Sequence, residues 1–174
     1  MEFRLKDLGY TDRFIRGILE RVRTVAIVGA SLRDVRPSYF VVRYLVSKGY
    51  EVYPINPSSA GEVVLGRPVY GALADVPVAL DMVDIVRGSE AAAGIVDEAL
   101  ALDPLPKVIW MQLGVRNDSA AARAEAEGIT VVMNRCPKIE YGRLSGEIGW
   151  MGVNSRTLSA RRPRLLPGYQ KRGI

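Results

Sequence analysis

Thr24-Val25-Ala26-Ile27-Val28 runs without a polar interruption up to Gly29, and this stretch limits the fold more than any other. A strand with one wet face alternates apolar and polar residues. This one does not, so it belongs in a parallel sheet covered on both faces. Parallel strands need long crossovers, and the chain supplies them. Further strands are predicted at 51–55, 82–86, 107–111 and 129–133, alternating with helical stretches at 37–48, 89–102 and 118–127. An amphipathic lead helix over 11–21 carries Phe14, Ile15, Ile18 and Leu19 on one stripe. Pro37 and Ser38 open the second helix and Gly49 stops it, while Ser89 is placed to cap the third.

Residues 58–81 are rich in Gly and Pro, with one short strand or irregular structure expected around 63–70 and a helical turn at 73–75. Beyond Cys136-Pro137 the pattern fades. The expected architecture is a doubly wound, mostly parallel sheet in a single three-layer α/β/α domain over 1–154, followed by an extended basic tail over 155–174.

The net charge of +5 suggests an anionic macromolecule, but its distribution does not. No acidic residue follows Glu147, whereas Arg156, Arg161, Arg162, Arg164, Lys171 and Arg172 do. Without those six of the 24 Lys and Arg, 18 remain against 19 Asp and Glu, so the body is nearly neutral. Nucleic acid is therefore not the expected partner of the fold, although a basic tail leaves RNA, anionic lipid or an acidic partner open. There is no run of about 18 apolar residues to span a membrane, and the N-terminal residues lack the apolar core of a signal peptide. A single cysteine, Cys136, forms no internal disulfide, which fits a reducing cytoplasm.

The chain contains no histidine. That removes phosphohistidine chemistry, Ser-His and Cys-His nucleophile pairs and ordinary zinc sites.

In an open parallel sheet, ligands sit at the carboxyl ends of the strands near the point where strand order reverses. The predicted ends are Gly29-Ala30-Ser31, Asn56-Pro57, Arg87-Gly88, Gln112-Leu113-Gly114 and Asn134-Arg135-Cys136. At the first, a glycine lets a phosphate approach the backbone, Ser31 offers a hydroxyl, Arg33 and Arg36 offer charge, and the following helix presents its positive end. The competing reading is a tight turn with solvated arginines. The dinucleotide fingerprint G-x-G-x-x-G is missing, as is an acidic residue after the second strand and a G-x-x-x-x-G-K-[ST] loop. NAD dehydrogenases and ordinary ATPases are disfavoured.

Gly29-Ala30-Ser31 with Arg36-Pro37-Ser38, Tyr53-Pro54-Ile55-Asn56-Pro57, Val83-Asp84-Ile85-Val86-Arg87, Trp110-Met111-Gln112-Leu113-Gly114-Val115 and Asn134-Arg135-Cys136-Pro137 together resemble the stand-alone bacterial CoA-binding proteins. That family is similar in fold to the nucleotide-binding domain of the succinyl-CoA ligase α subunit. The resemblance spans about residues 12–145 and implies a Rossmann-like domain that binds coenzyme A or an acyl-CoA. It implies that Gly29, Ala30 and Ser31 cradle the pyrophosphate with help from Arg36 and Ser38. It further implies that Asn56 and Pro57 border the adenosine and its 3′-phosphate, and that Arg87, Gln112 and Gly114 line the pantetheine path. Ligase activity does not carry over, since the phosphorylated histidine and the partner subunit are missing.

Two readings of Cys136 stand. Arg135 and Lys138 beside it would lower its pKa and favour a thiolate able to form a mixed disulfide with CoA; or it is a small buried residue before Pro137. Glu140 and Glu147 read as solvated or structural carboxylates before an acid/base pair, and Trp110 as core before a stacking platform; Trp150 suits a sheet edge or a subunit contact. The functional expectation is non-catalytic CoA or acyl-CoA binding, with an acyl-CoA-handling enzyme lacking its partner, or a regulatory protein, as alternatives. A homodimer is also expected as possible, since small sheets leave exposed edges.

Overall fold

The computed structural model describes residues 8–146; Glu147, Trp150 and the basic tail lie outside that range. In chain order the elements are α1 (Asp12–Arg21), β1 (Thr24–Val28), α2 (Pro37–Ser47), β2 (Glu51–Ile55), a hairpin of β3 (Val63–Val64) and β4 (Arg67–Pro68), β5 (Met82–Ile85), α3 (Ser89–Leu100), β6 (Val108–Met111), α4 (Asp118–Ala126), β7 (Thr130–Val132) and α5 (Pro137–Ser145). Five strands form a sheet of order β2-β1-β5-β6-β7, every pairing parallel. This is a Rossmann-like α/β fold whose strand order reverses between β1 and β5.

Residues alternate across the sheet to feed two cores. Val25, Ile27, Met82, Val108 and Trp110 face α1, α2 and α5, whereas Ala26, Val28, Val83, Ile85, Ile109 and Met111 face α3 and α4. Every residue of β5 and β6 is buried, as expected of strands covered on both sides. Trp110 is core: it is fully buried and its Nε1 donates to the Arg135 carbonyl at 2.7 Å. The edge of β2 is partly covered, since Tyr70 bridges Ile55 and exchanges hydrogen bonds with Pro54 and Asn56.

Three expectations need correction. The pattern does not end at Pro137, which instead opens α5. Its Tyr141 and Leu144 are buried against α1 and α2, while Glu140 is buried in an ion pair with Arg143 at 2.7 Å. The helix was hidden because its apolar stripe is narrow and its centre, Glu-Tyr-Gly-Arg, is polar by composition. Ser89 is not the cap of α3. Gly88 takes that position, and the Ser89 hydroxyl accepts from the Arg116 amide at 3.0 Å instead. Residues 63–68 form a two-stranded hairpin rather than one strand or irregular structure.

Candidate functional site: a polar cup and an apolar cavity at the strand ends

β1 ends at Gly29, which takes φ +95° so that the chain turns away from the sheet. The glycine is required twice. Its backbone is left-handed, and a Cβ would lie 3.1 Å from the Arg87 side chain, which crosses it. Two residues on, the Ser31 amide donates to Ser38 Oγ at 3.1 Å and the Arg33 amide donates to Ser31 Oγ at 3.1 Å, fixing the loop before α2. That helix starts at Pro37 with no side-chain cap from Arg36 and no acidic residue in its first turn, so its positive end is unneutralised. From β2, Asn56 reaches back, its Nδ2 donating to the Ala30 carbonyl at 2.8 Å and its Oδ1 accepting from the Ser58 amide at 3.1 Å.

These groups enclose a cavity of about 400 Å³ lined by Gly29, Ser31, Arg36, Pro37, Ser38, Asn56, Val86 and Arg87. It sits at the carboxyl ends of β1, β2 and β5, at the reversal of strand order. Arg36 and Arg87 are exposed, and neither makes an ion pair among the described residues. Two guanidinium groups without an ion pair and a helix N-terminus thus stand around one glycine, an arrangement of the kind that suits an anion. The cup is not an open notch over Gly29, because Arg87 roofs the glycine and brings its own charge.

A second cavity, about 450 Å³, adjoins it, and Pro37 and Val86 line both. Val35, Phe40, Val41, Leu113, Val115 and Ile139 supply its apolar wall, with Gln112, Cys136 and Lys138 as its polar members. Beneath it is a buried polar pair: Gln112 Nε2 donates at 3.1 Å to Asp84 Oδ2, on a carboxyl with no solvent exposure. The other oxygen, Oδ1, has no hydrogen-bond partner among the described residues. Burial pushes the Asp84 carboxyl up to about 7, only partly opposed by the Gln112 hydrogen bond.

Cys136 lines this cavity, half-buried, at the N-cap of α5. The expectation of a lowered pKa is wrong. Desolvation by burial raises it, and the Asp84 charge acts in the same direction; the amides of Ile139 and Lys138 and the Gln112 side chain oppose this without prevailing. The flanking cations are engaged elsewhere. The Arg135 guanidinium lies over the Tyr10 ring at 5.5 Å, and Lys138 Nζ lies over Phe40 and Tyr44 at 5.7 and 5.9 Å. Cys136 is held as a thiol.

Of the other residues singled out in sequence, Ala30 is fully buried and contributes its carbonyl to Asn56 rather than to a cavity wall. Pro57 is exposed and lines neither cavity. Gly114 is also outside both; at φ +83° it forms the turn whose amide donates to Asn134 Oδ1 at 2.7 Å. Gln112 is on the wall of the apolar cavity, and Arg87 is in the cup. Sequence reasoning missed the apolar wall from α2 and α5, whose advance signal was Val35 and Leu113 standing in otherwise polar loops and Ile139 between Lys138 and Glu140. A cavity of about 460 Å³ between residues 73–80 and 101–104 lies beyond the amino ends of the strands; Asp103 is its one charged residue, and no basic residue lines it.

The fold is a Rossmann-like α/β domain without the dinucleotide fingerprint, and its cup gathers cationic and hydrogen-bonding groups at the strand ends. The sequence profile of the CoA binding domain family matches residues 23–142, and the chain belongs to that family. It is 33% identical over 127 residues to the uncharacterized protein YneT of Bacillus subtilis (strain 168), covering 73% of this chain and 91% of that one. A hypothetical protein from Pyrococcus horikoshii OT3 superposes with a TM-score of 0.73 at 36% identity, over 83% of this chain and 99% of that one. The dinucleotide-forming acetyl-coenzyme A synthetase 1 of Ca. Korarchaeum cryptofilum is similar with a TM-score of 0.56 at 26% identity; the match takes in 67% of this chain and 27% of the synthetase. Among the described residues no helix is long and apolar enough to cross a membrane, and no cluster of metal-ligating side chains occurs.

Proposed function

We propose that this protein binds coenzyme A, free or as a thioester, in the cup at the ends of β1, β2 and β5, and that it does so without turning the ligand over. The observation that carries this reading is the pair of unpaired guanidinium groups, Arg36 and Arg87, converging with the open end of α2 on Gly29. The pyrophosphate lies against the Gly29–Ser31 turn, between the arginines. Asn56 borders the adenosine side, with Pro57 outside the wall. The pantetheine arm leaves the cup past Val86 toward Gln112. Family membership supports the class of ligand. Binding without catalysis is supported by the chain itself, which has no histidine to carry a phosphoryl group. The raised pKa of Cys136 opposes a redox role through a reactive thiolate.

Titration calorimetry with CoA tests the proposal. Saturable heat with CoA is expected, with at least tenfold weaker binding for Arg36→Ala, in line with the loss of a charged hydrogen bond. Weaker binding of 3′-dephospho-CoA would place the 3′-phosphate in contact with the protein. No heat with CoA, or an affinity indifferent to both Arg36→Ala and Arg87→Ala, sinks the reading. Turnover of a CoA thioester by the isolated protein would sink its non-catalytic half.

A further inference from the structure

The cup accounts for the phosphates, but it leaves the larger cavity beside it unexplained. That cavity is shaped by hydrocarbon. Phe40 and Val41 from α2, Val86 after β5 and Val115 after β6 form its inner wall. Its mouth is ringed by Val35, Leu113 and Ile139, which are 76%, 62% and 45% exposed. Three of the six large hydrophobic side chains left in solvent among the described residues therefore surround one opening. Such a patch marks a surface that something apolar covers.

The occupant follows from what adjoins the opening. Pro37 and Val86 wall both cavities, so a ligand anchored by its phosphates in the cup has a direct route into the apolar space. The pantetheine arm is a poor filler by itself, because its amides and hydroxyl need hydrogen-bonding partners when buried. The wall offers few. Gln112, Cys136 and Lys138 are its only polar side chains, and one Gln112 N–H is already given to Asp84. No carboxylate lines the space. Resting on the CoA reading above, in which the pantetheine arm enters this cavity along Val86 and Gln112, we infer that the apolar wall beyond them seats the acyl chain of a CoA thioester, making the preferred ligand a short or medium-length, uncharged, apolar acyl-CoA rather than free CoA. Lys138 is the one cation on the wall; away from it a terminal carboxylate is desolvated among Val, Ile and Phe side chains, so such an acyl group is not favoured over an apolar one.

The test is a chain-length series on the full protein: CoA, acetyl-, butyryl-, hexanoyl-, octanoyl- and succinyl-CoA, each titrated calorimetrically with sedimentation run in parallel. The dissociation constant should fall along the apolar series, by up to about fourfold per methylene, the equivalent of about 0.8 kcal/mol for each buried CH₂. Succinyl-CoA should bind no more tightly than butyryl-CoA. In Leu113→Ser and Ile139→Ser, both at exposed positions of the rim, the gain per methylene should shrink. A flat or rising series while CoA itself binds overturns the acyl assignment and leaves the CoA reading intact, as does tighter binding of succinyl-CoA. A flat series in which the rim variants dissociate a dimer would assign the opening to a second copy of this chain. Failure of every CoA species to bind brings down both readings.

Discussion

At Gly29 the backbone and its neighbour make the same demand. A side chain there must adopt a left-handed φ, at about 1–2 kcal/mol for an L-residue, and must also displace the Arg87 stem 3.1 Å away. Gly29→Ala is therefore expected to lower stability by about 1–3 kcal/mol in urea denaturation and to weaken CoA binding. If the Arg87 contact is part of the cause, Gly29→Ala combined with Arg87→Ala will be less destabilised than the sum of the single changes. Asp84 makes a different prediction. Its carboxyl keeps its proton to about pH 7 in the folded protein because it is fully buried, whereas in the unfolded chain it releases it near 3.8. Folding thus takes up a proton between those values. The stabilising contribution is complete below about pH 4 and is lost as pH rises to 7, by as much as roughly 4 kcal/mol. Asp84→Asn should remove that slope, which denaturation midpoints at several pH values would show. A slope unchanged in the variant would mean that Asp84 is ionised in the folded protein.

At the scale of elements, the two ends of the sheet do different work. The carboxyl ends carry the cup and the apolar cavity, while at the amino ends one side chain, Asp81, ties three strands together. Asp81 Oδ2 accepts from the amides of Arg23 and Thr24 at 2.8 and 3.2 Å, and Oδ1 accepts from Lys107 Nζ at 2.7 Å, joining the starts of β1, β5 and β6. Burial acts to raise its pKa, but these hydrogen bonds outweigh it and hold the group below its ordinary value. Its contribution is therefore present above the ordinary carboxylate range and is lost as pH falls through the lowered value. The Lys107 pair is largely exposed and adds little; the two amides matter more. Asp81→Ala should cost about 1–3 kcal/mol at neutral pH, with the deficit shrinking in strong acid. Because Asp81 is remote from the cup, CoA affinity should not move. α5 plays the complementary part. Its Tyr141 packs edge-on against Tyr44 and Tyr50, and its first turn brings Lys138 and Ile139 to the apolar cavity.

For the whole molecule, a ligand that bridges the ends of β1, β2 and β5 and the start of α2 binds only when all four are assembled, so it stabilises the fold by mass action. At a hundred times its Kd, CoA should add about 2.7 kcal/mol. For a chain of this size that raises Tm by roughly 5–10 °C, readable by differential scanning fluorimetry. Most of the architecture was legible beforehand, because runs such as Val25–Val28 and stops such as Gly49 and Gly128 act through local sterics and burial. The site was legible only in part. Gly29, Ser31, Arg36, Ser38, Asn56 and Arg87 meet in one cup, whereas Pro57 and Gly114 stand outside it.

What the amino-acid order determined by itself is the set of strands, the glycine at the first strand end, and the exclusion of histidine chemistry, since each depends on residue type and near neighbours alone. What only the tertiary structure decided is which strand ends lie side by side. The order β2-β1-β5-β6-β7 brings Arg87 across Gly29, although they are 58 positions apart in the chain, and sets Asp84 beneath Gln112. Packing of α5 against α2 then encloses the apolar cavity and desolvates Cys136, reversing the pKa that its charged sequence neighbours imply. Dielectric surroundings and the convergence of distant segments are properties of the packed chain, and no local pattern encodes them.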